Sequence, residues 1–425
     1  MDRFEIEGGR RLSGSVVAGG SKNSSLPCLF ATLLSEKESV VRRVPNLQDI
    51  TSTVSLLQSL GCDVSRDLER GEVRSKLVSL KTDEAPYDLV RKMRASVLVL
   101  GPLLARFGRA RVSMPGGCAI GARPVDFHLA GLKQMGAQIT IQEGFIEARC
   151  QKLQGARIGL EFPSVGATEN LMMAATLASG ETLLENCAQE PEIVCLANAL
   201  RSMGAVIEGA GTPVIRVQGA ASGSLGGIEH AVVGDRIEAG TFLAAGFATG
   251  GDVEVKGIHP EMLEAVLLVF EAAGAKVHRG TVSAGDGVRV QAQGRSRAVH
   301  FRTLPFPGFP TDMQAQLMAV LTLASGTSVI EETVFENRFM HVPELTRMGA
   351  QVVIKGNAAL VEGVGELRAA PVMATDLRAS AGLVIAALAA HGTSVINRIY
   401  HLDRGYECME EKLRALGADV KRVSA

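Results

Sequence analysis

The chain has 425 residues, 46% of them apolar and 21% charged, with a net charge of -1. That length allows two or three domains around a large core and excludes a disordered chain, while the balanced charge removes the electrostatic case for a nucleic-acid partner. Apolar runs such as 171–178 and 383–390 fall far short of the roughly 20 residues that a membrane span needs.

Seven cysteines, an odd number, show no metal-ligand spacing. Cys187 and Cys195 read as too isolated from histidine to suggest zinc. A reducing, cytoplasmic setting follows as the simplest expectation, and Met1-Asp2-Arg3-Phe4-Glu5 does not read as a signal peptide.

Taken in chain order, a helical run ending in Gly-Ala or Gly-Cys and followed by a β-like run recurs six times. Its glycines are Gly61, Gly136, Gly204, Gly274, Gly349 and Gly417, at intervals of 75, 68, 70, 75 and 68 residues. Glycine just past a helix end commonly takes the left-handed conformation that closes it. About 25 residues upstream, Ala178-Ser179-Gly180, Ala324-Ser325-Gly326 and Ala390-His391-Gly392 end almost wholly apolar helices. A helix that is apolar all round is a buried one.

Each repeat thus holds a buried helix, a strand, an amphipathic helix with a glycine cap, and a further strand or two. Three repeats make a unit with helices inside and sheets outside, and six make two lobes: an α/β fold with mixed sheets around central helices. Repeat counting puts the first lobe at 22–231 and the second at 232–425, completed by residues 1–21 as a strand.

The buried helices are predicted over 24–34, 95–107, 168–178, 239–248, 313–324 and 379–389. Before them stand Lys22-Asn23, Arg91-Lys92-Met93-Arg94, Ser164-Val165-Gly166, Asp235-Arg236, Thr311-Asp312 and Asp376-Leu377-Arg378. Thr168 and Thr311 read as ordinary N-caps. Lys22, Arg94 and Arg378 do not, because a cation at a helix N-terminus is unfavourable and calls for a compensating anion. Arg123, Arg338 and Arg404 add charge from loops, and such a cluster suits a phosphate or carboxylate. No P-loop or dinucleotide fingerprint is present, so no nucleotide cofactor is expected.

A separate stretch, Pro115-Gly116-Gly117-Cys118-Ala119-Ile120-Gly121-Ala122-Arg123-Pro124, sets a thiol among glycines with a cation five residues on. A nearby cation favours thiolate and raises reactivity.

These segments resemble a known family. Gly20-Ser21-Lys22-Asn23, the run 115–128, 309–316, 336–341, 374–379 and 401–407 are similar to the UDP-N-acetylglucosamine enolpyruvyl transferase (1-carboxyvinyltransferase) family, over essentially the whole chain. Ser24 stands where that family usually has Ala, a mild departure. The resemblance implies the two-lobed, inside-out α/β barrel of the EPSP synthase type, with a cleft that closes on a nucleotide sugar and the Cys118 loop as its lid. It implies transfer of the enolpyruvyl group of phosphoenolpyruvate to the sugar 3′-hydroxyl with release of phosphate, the first committed step of peptidoglycan synthesis.

By matching position, Cys118 is implied as general acid and site of a covalent phosphoenolpyruvate adduct. Asp312 is implied as acceptor of the hydroxyl proton. Lys22, Arg123 and Arg404 are implied as phosphate holders, with Asn23 and Arg378 nearby. Arg94, Arg123, Pro124, Val125, Asp126, Phe127, Ser164, Val165, Gly166, Asp312 and Val334 are implied as contacts of the UDP-sugar, with Arg338 and Asp376 in the same cleft. Neither a metal nor a redox cofactor is implied; the partners are the two small substrates, with no nucleic acid and no membrane, and the chain is expected to be a monomer. A shikimate-3-phosphate transferase and a non-catalytic nucleotide-sugar sensor stay open as alternatives; Cys118 argues against the first, and the trio Cys118, Asp312 and Arg404 against the second.

Overall fold

The computed structural model describes residues 2–90, 93–114, 125–283 and 285–424. The six repeat glycines all take positive φ, from 93° to 111°. No Cβ is present to clash there, which is why glycine recurs at these positions. Gly180, Gly326 and Gly392, which follow the apolar helices, do the same at 85°, 94° and 95°.

Each repeat builds a four-stranded sheet of one pattern. In the third, Arg157–Gly159 pairs in parallel with Glu181–Glu185, which runs antiparallel to Val214–Gln218, itself antiparallel to Val206–Glu208. The alternation that buries Ile215 and Val217 and exposes Val214, Arg216 and Gln218 gives the sheet one face for the helices. Six such sheets occur among the described residues, each with two edges. The expected EPSP synthase-type α/β fold, six repeats around buried helices, thus takes the form of six separate sheets among the described residues. Each ends at one edge in a strand of two to five residues that leads into a buried helix.

Contacts divide the chain into two compact units, the described residues from Gly20 to Val233 and those before and after them. In the later unit the helices Arg236–Ala248, Gln314–Leu321 and Leu377–Ala389 pack on one another. Small residues allow the close approach: a Cβ on Gly382 would stand 2.8 Å from the carbonyl oxygen of Ala315, and one on Gly240 would stand 2.8 Å from the Met313 side chain. The N-terminal segment adds two strands to this unit rather than the single one expected. Ser13–Val17 lies parallel to Asp252–Lys256, and Arg3–Glu7 lies between Thr393–Asn397 and Asp419–Val423.

In the Gly20–Val233 unit, Leu100–Phe107 packs against Val165–Ala175. Gly101 makes that approach possible, since a Cβ there would meet Asn170 Oδ1 at 2.3 Å. The strand Glu229–Ala231 returns to pair with Ser39–Arg42 and completes this unit's first sheet.

The buried helices start earlier than predicted, at Lys22, Val165, Arg236 and Leu377, and two begin as 3-10 turns, Arg94–Val99 and Thr311–Met313. Hydrophobic patterning marks where a helix becomes buried, whereas its polar first turn is set by the cap. Ser21, Ser164, Asp235 and Asp376 are the caps, each accepting backbone N–H groups through its side chain. The reading of Thr168 and Thr311 as caps is corrected: Thr168 lies inside its helix and donates to Ser164 O, and Thr311 donates its hydroxyl to Glu332.

Candidate active site

The candidate residues of the later unit gather at the starts of its buried helices. Asp312, in the turn Thr311–Met313, accepts from Arg338 Nη2 at 2.7 Å through Oδ1 and from Arg378 Nη2 at 3.1 Å through Oδ2. Both arginines are buried, at 4% exposure, so these are charge-assisted bonds largely shielded from water. Arg378 also donates from Nη1 to the Tyr406 hydroxyl at 3.3 Å, and that hydroxyl meets Thr241 Oγ1 at 3.0 Å and Gln316 Nε2 at 3.3 Å. Burial alone would lower the Arg378 guanidinium, but the charges of Asp312, Tyr406 and Asp235 outweigh it and hold the group above its usual value.

Asp376 caps the helix that carries Arg378, accepting the N–H of Arg378 at 2.9 Å and of Ala379 at 3.0 Å. It also acts electrostatically on His401, which burial and then the charge of Arg404 push below the ordinary imidazole value. Arg404 ends the 3-10 turn Ile399–Arg404. Val334 is tied to the same region through Glu332, whose carboxylate accepts its N–H at 2.9 Å.

In the Gly20–Val233 unit, Lys22 is the first residue of the helix Lys22–Ala31 and pairs with Asp49 at 3.1 Å. Asp49 sits in the first turn of the helix Gln48–Leu60 and is 3% exposed. The anions beside Lys22 and Arg378 are thus carboxylates of the chain itself: Asp312, which the sequence reading had placed with these cations, and Asp49, which it had not. Asn23 follows Lys22 in the same turn and is half-buried.

Arg94 opens the turn Arg94–Val99 and acts on His128, a buried residue in the helix Asp126–Gln134. Asn170 orients that ring. Its Oδ1 accepts Gly101 N at 2.7 Å, so its Nδ2 is left to donate to Val97 O at 3.3 Å and to His128 Nδ1 at 3.0 Å. The imidazole proton then sits on Nε2, on the ring edge that faces Gly166, where an added Cβ would stand 3.4 Å from Nε2. Burial and the charge of Arg94 push His128 down to about 4, so the ring is neutral at ordinary pH. Ser164 caps the Val165–Ala175 helix, placing Ser164, Val165 and Gly166 at its first turn. Val125 is buried, Phe127 half-buried against the core, and Asp126 exposed. Cys118, Arg123 and Pro124 lie outside the described residues.

Sequence reasoning missed Asp49, Glu332 and Tyr406 as members of these clusters. For Asp49 and Glu332 the available signal was an acid at a position that patterning would bury. The isolation of Cys195 from histidine is also corrected, since its sulfur lies 3.3 Å from His230 Nε2. Thirty-five residues of separation along the chain did not mean separation in space. Among the described residues no group of three or more His, Cys, Asp and Glu side chains could hold a metal ion, and no helix is long and apolar enough to cross a membrane.

The arrangement of sheets and helices is that of the enolpyruvyl transferases. The enolpyruvyl transferase NikO from Streptomyces tendae matches at a TM-score of 0.88 and 25% identity, covering 100% of this chain and 99% of that one. EPSP synthase from Acinetobacter baumannii matches at a TM-score of 0.77 over 100% of both chains; at 18% identity that likeness concerns the fold alone. The chain belongs to the EPSP synthase family, whose model, described as EPSP synthase (3-phosphoshikimate 1-carboxyvinyltransferase), matches residues 6–413. Within it, proteins named UDP-N-acetylglucosamine 1-carboxyvinyltransferase are 55% identical in Shewanella woodyi and 54% identical in Myxococcus xanthus, each over 100% of both chains.

Proposed function

We propose that this chain transfers the enolpyruvyl group of phosphoenolpyruvate to the 3′-hydroxyl of UDP-N-acetylglucosamine and releases inorganic phosphate, which opens peptidoglycan synthesis. The observation that carries this reading is full-length identity of 53–55% to relatives named for that acceptor. The shikimate-type reading is supported by the description of the family model and by structural neighbours of 18–19% identity, which speak for the fold alone.

In this reading the sugar oxygen bonds to the central carbon of the enol as its proton passes to Asp312. Cys118 delivers a proton to the methylene carbon. Loss of a proton from the resulting methyl group then restores the double bond as the carbon–oxygen bond to phosphate breaks. Protons move between positioned groups and no electron is transferred. Lys22, Arg123 and Arg404 hold the phosphate, stabilising charge as it leaves, with Asn23 and Arg378 beside them. Arg94, Val125, Asp126, Phe127, Ser164, Val165, Gly166, Val334, Arg338 and Asp376 bind the nucleotide sugar, together with Arg123 and Pro124. The ion pairs of Asp312 with two arginines support a carboxylate that orients the hydroxyl and takes up its proton late. We further propose that the enzyme acts as a monomer in the cytoplasm, where nucleotide sugars are made.

The test is phosphate release from phosphoenolpyruvate with UDP-N-acetylglucosamine or shikimate-3-phosphate as acceptor. Release with the nucleotide sugar alone, with a product heavier by the enolpyruvyl group, is expected. Release with shikimate-3-phosphate instead, or with neither, overturns the reading.

A further inference from the structure

Glu332 follows the strand Thr327–Glu331, and only 3% of it is exposed. Its Oε1 accepts three donors: the Thr303 hydroxyl at 2.8 Å, the N–H of Val334 at 2.9 Å and the N–H of Phe335 at 3.2 Å. Its Oε2 accepts the Thr311 hydroxyl at 2.9 Å. Four neutral donors from three pieces of chain thus reach the carboxylate, three on Oε1 and one on Oε2. Those pieces are the end of the strand His300–Arg302, the loop after Glu332, and the turn that carries Asp312. Thr303 and Thr333 lock the first two together, since Thr333 N donates to Thr303 Oγ1 at 2.9 Å and the Thr333 hydroxyl donates to Thr303 O.

Burying a carboxylate is costly unless every lone pair finds a donor. An apolar residue would fill the space without that demand, but it would leave the turn and the loop unlinked. The carboxylate joins Thr311, one residue before Asp312, to the backbone of Val334. The N–H and C=O of a trans peptide point in opposite directions. With Phe335 N–H turned onto Glu332, the carbonyl of Val334 therefore points away from that carboxylate.

We propose that Glu332 is a positioning residue for the acceptor sugar, holding Asp312 and the Val334 carbonyl at a fixed spacing through hydrogen bonds rather than through charge. This rests on the functional reading above, in which Asp312 and Val334 both meet the sugar.

The test compares Glu332→Ala, Glu332→Gln and Thr311→Val in steady-state kinetics with both substrates, beside thermal melting. Glutamine keeps the geometry: its oxygen serves Thr303, Val334 and Phe335, and its amide donates to Thr311, whose hydroxyl can accept. Glu332→Gln is therefore expected to hold kcat/KM within about fivefold of the unaltered enzyme. Glu332→Ala is expected to raise KM for UDP-N-acetylglucosamine and to lower kcat, each about tenfold, with KM for phosphoenolpyruvate within about twofold. Thr311→Val frees only the Asp312 side and is expected to lower kcat about threefold to tenfold with the sugar KM nearly unchanged.

A Gln variant as impaired as the Ala variant would overturn the proposal in favour of charge. Equal rises in both KM values, or normal kinetics in Ala, would overturn it as well. If the Ala variant does not fold, the Gln and Val variants decide: loss of activity in Gln, or unchanged kcat in Val, overturns the clamp. An unaltered enzyme that releases no phosphate with the nucleotide sugar overturns the functional reading, and the clamp with it.

Discussion

Arg378 and Asp312 lie 66 residues apart in the chain and meet at 3.1 Å. The contact joins the first turns of two helices that pack side by side, and Arg338 completes it from a third segment at 2.7 Å. Asp312 is therefore held by two guanidinium groups that fix both of its oxygens. Replacing Asp312 with Ala is expected to lower kcat about a hundredfold or more, within the range of general-base loss. Near-normal turnover in a folded variant would remove Asp312 from the mechanism.

Arg378→Ala is expected to be a harsh change, because Arg378 bonds both Asp312 and Tyr406. It leaves a cavity beside Tyr406 and strips Asp312 of one partner. Breaking one side of a buried pair costs about 3–5 kcal/mol. Tyr406→Phe removes only the hydroxyl that bridges Thr241, Gln316 and Arg378, and about 1–2 kcal/mol is expected. Urea midpoints check the order; a Phe variant less stable than the Ala variant contradicts the network as described.

The fold was legible wherever backbone geometry restricts the residue. Six glycines at near-equal spacing marked six helix ends because positive φ leaves few alternatives. The parallel edge strands Arg157–Gly159, Glu229–Ala231, His300–Arg302 and Pro371–Met373 were not legible. Three residues are too few for alternation to register, and their pairing partners lie in the next element or further off. In the site, Asp312 and Arg378 could be named from the starts of apolar helices. Their mutual pairing could not, because spacing within one helix says nothing of its neighbour. Glu332 continues the alternation that buries Ser328 and Ile330, so its inward turn was legible, but the donors that meet it from Thr303 and Thr311 were not.

Glu169 offers a test of burial. Its carboxyl is enclosed in the helix Val165–Ala175 and held well above the usual carboxylate range, by burial first and then by the charges of Glu192 and Glu190. The folded state therefore keeps a proton that the unfolded chain releases. The stability it contributes is complete below the unfolded value and is lost as pH rises through the folded one. Glu169→Gln removes that loss. Its stability relative to the unaltered protein is expected to grow from pH 5 to pH 8, reaching about 1 kcal/mol or more. An advantage independent of pH would mean the carboxyl is not held protonated.

His128 runs the other way. Burial and Arg94 hold its folded value at about 4, below the unfolded 6.5. The unfolded chain thus takes up a proton that the folded one refuses, and the stability present above pH 6.5 is lost as pH falls toward 4. The stability difference between the unaltered protein and His128→Asn is expected to shrink across that window by about 1.4 kcal/mol per pH unit. A constant difference in chemical denaturation would overturn the assignment. His341, likewise held down to about 4 by burial, steepens the same acid limb.

The cysteines differ sharply in access. Cys28, Cys62, Cys187 and Cys195 are buried, Cys150 is half-buried, and Cys408 is exposed. Partial burial and then Glu411, Glu407 and Glu410 push the Cys408 thiol up, so it is a poor nucleophile. Cys195 is pushed below the ordinary thiol value, first by its hydrogen bond with Cys28 and then, against the cost of burial, by His230, but it is buried and closed to a reagent. An epoxide phosphonate such as fosfomycin is therefore expected to alkylate Cys118 alone, faster with UDP-N-acetylglucosamine present. Cys118→Asp should keep measurable transfer, since a carboxyl can still donate a proton, and should resist the reagent. Peptide mapping that finds the adduct on another cysteine, with inactivation, would overturn this.

The place of Arg3–Glu7 between Thr393–Asn397 and Asp419–Val423 has a consequence for how the molecule is made. The chain leaves the ribosome N-terminus first, at about 5–20 residues per second. The strand made first thus waits tens of seconds for neighbours made last. The Gly20–Val233 unit draws every strand of its three sheets from its own span, the last being Glu229–Ala231, and can be complete while the other half is still being translated. Until then Arg3–Glu7 carries two unpaired edges. Its outward Arg3 and Glu5, bonded to each other, set charge beside buried Phe4 and Ile6, the pattern that discourages a nascent strand from pairing with the wrong chain.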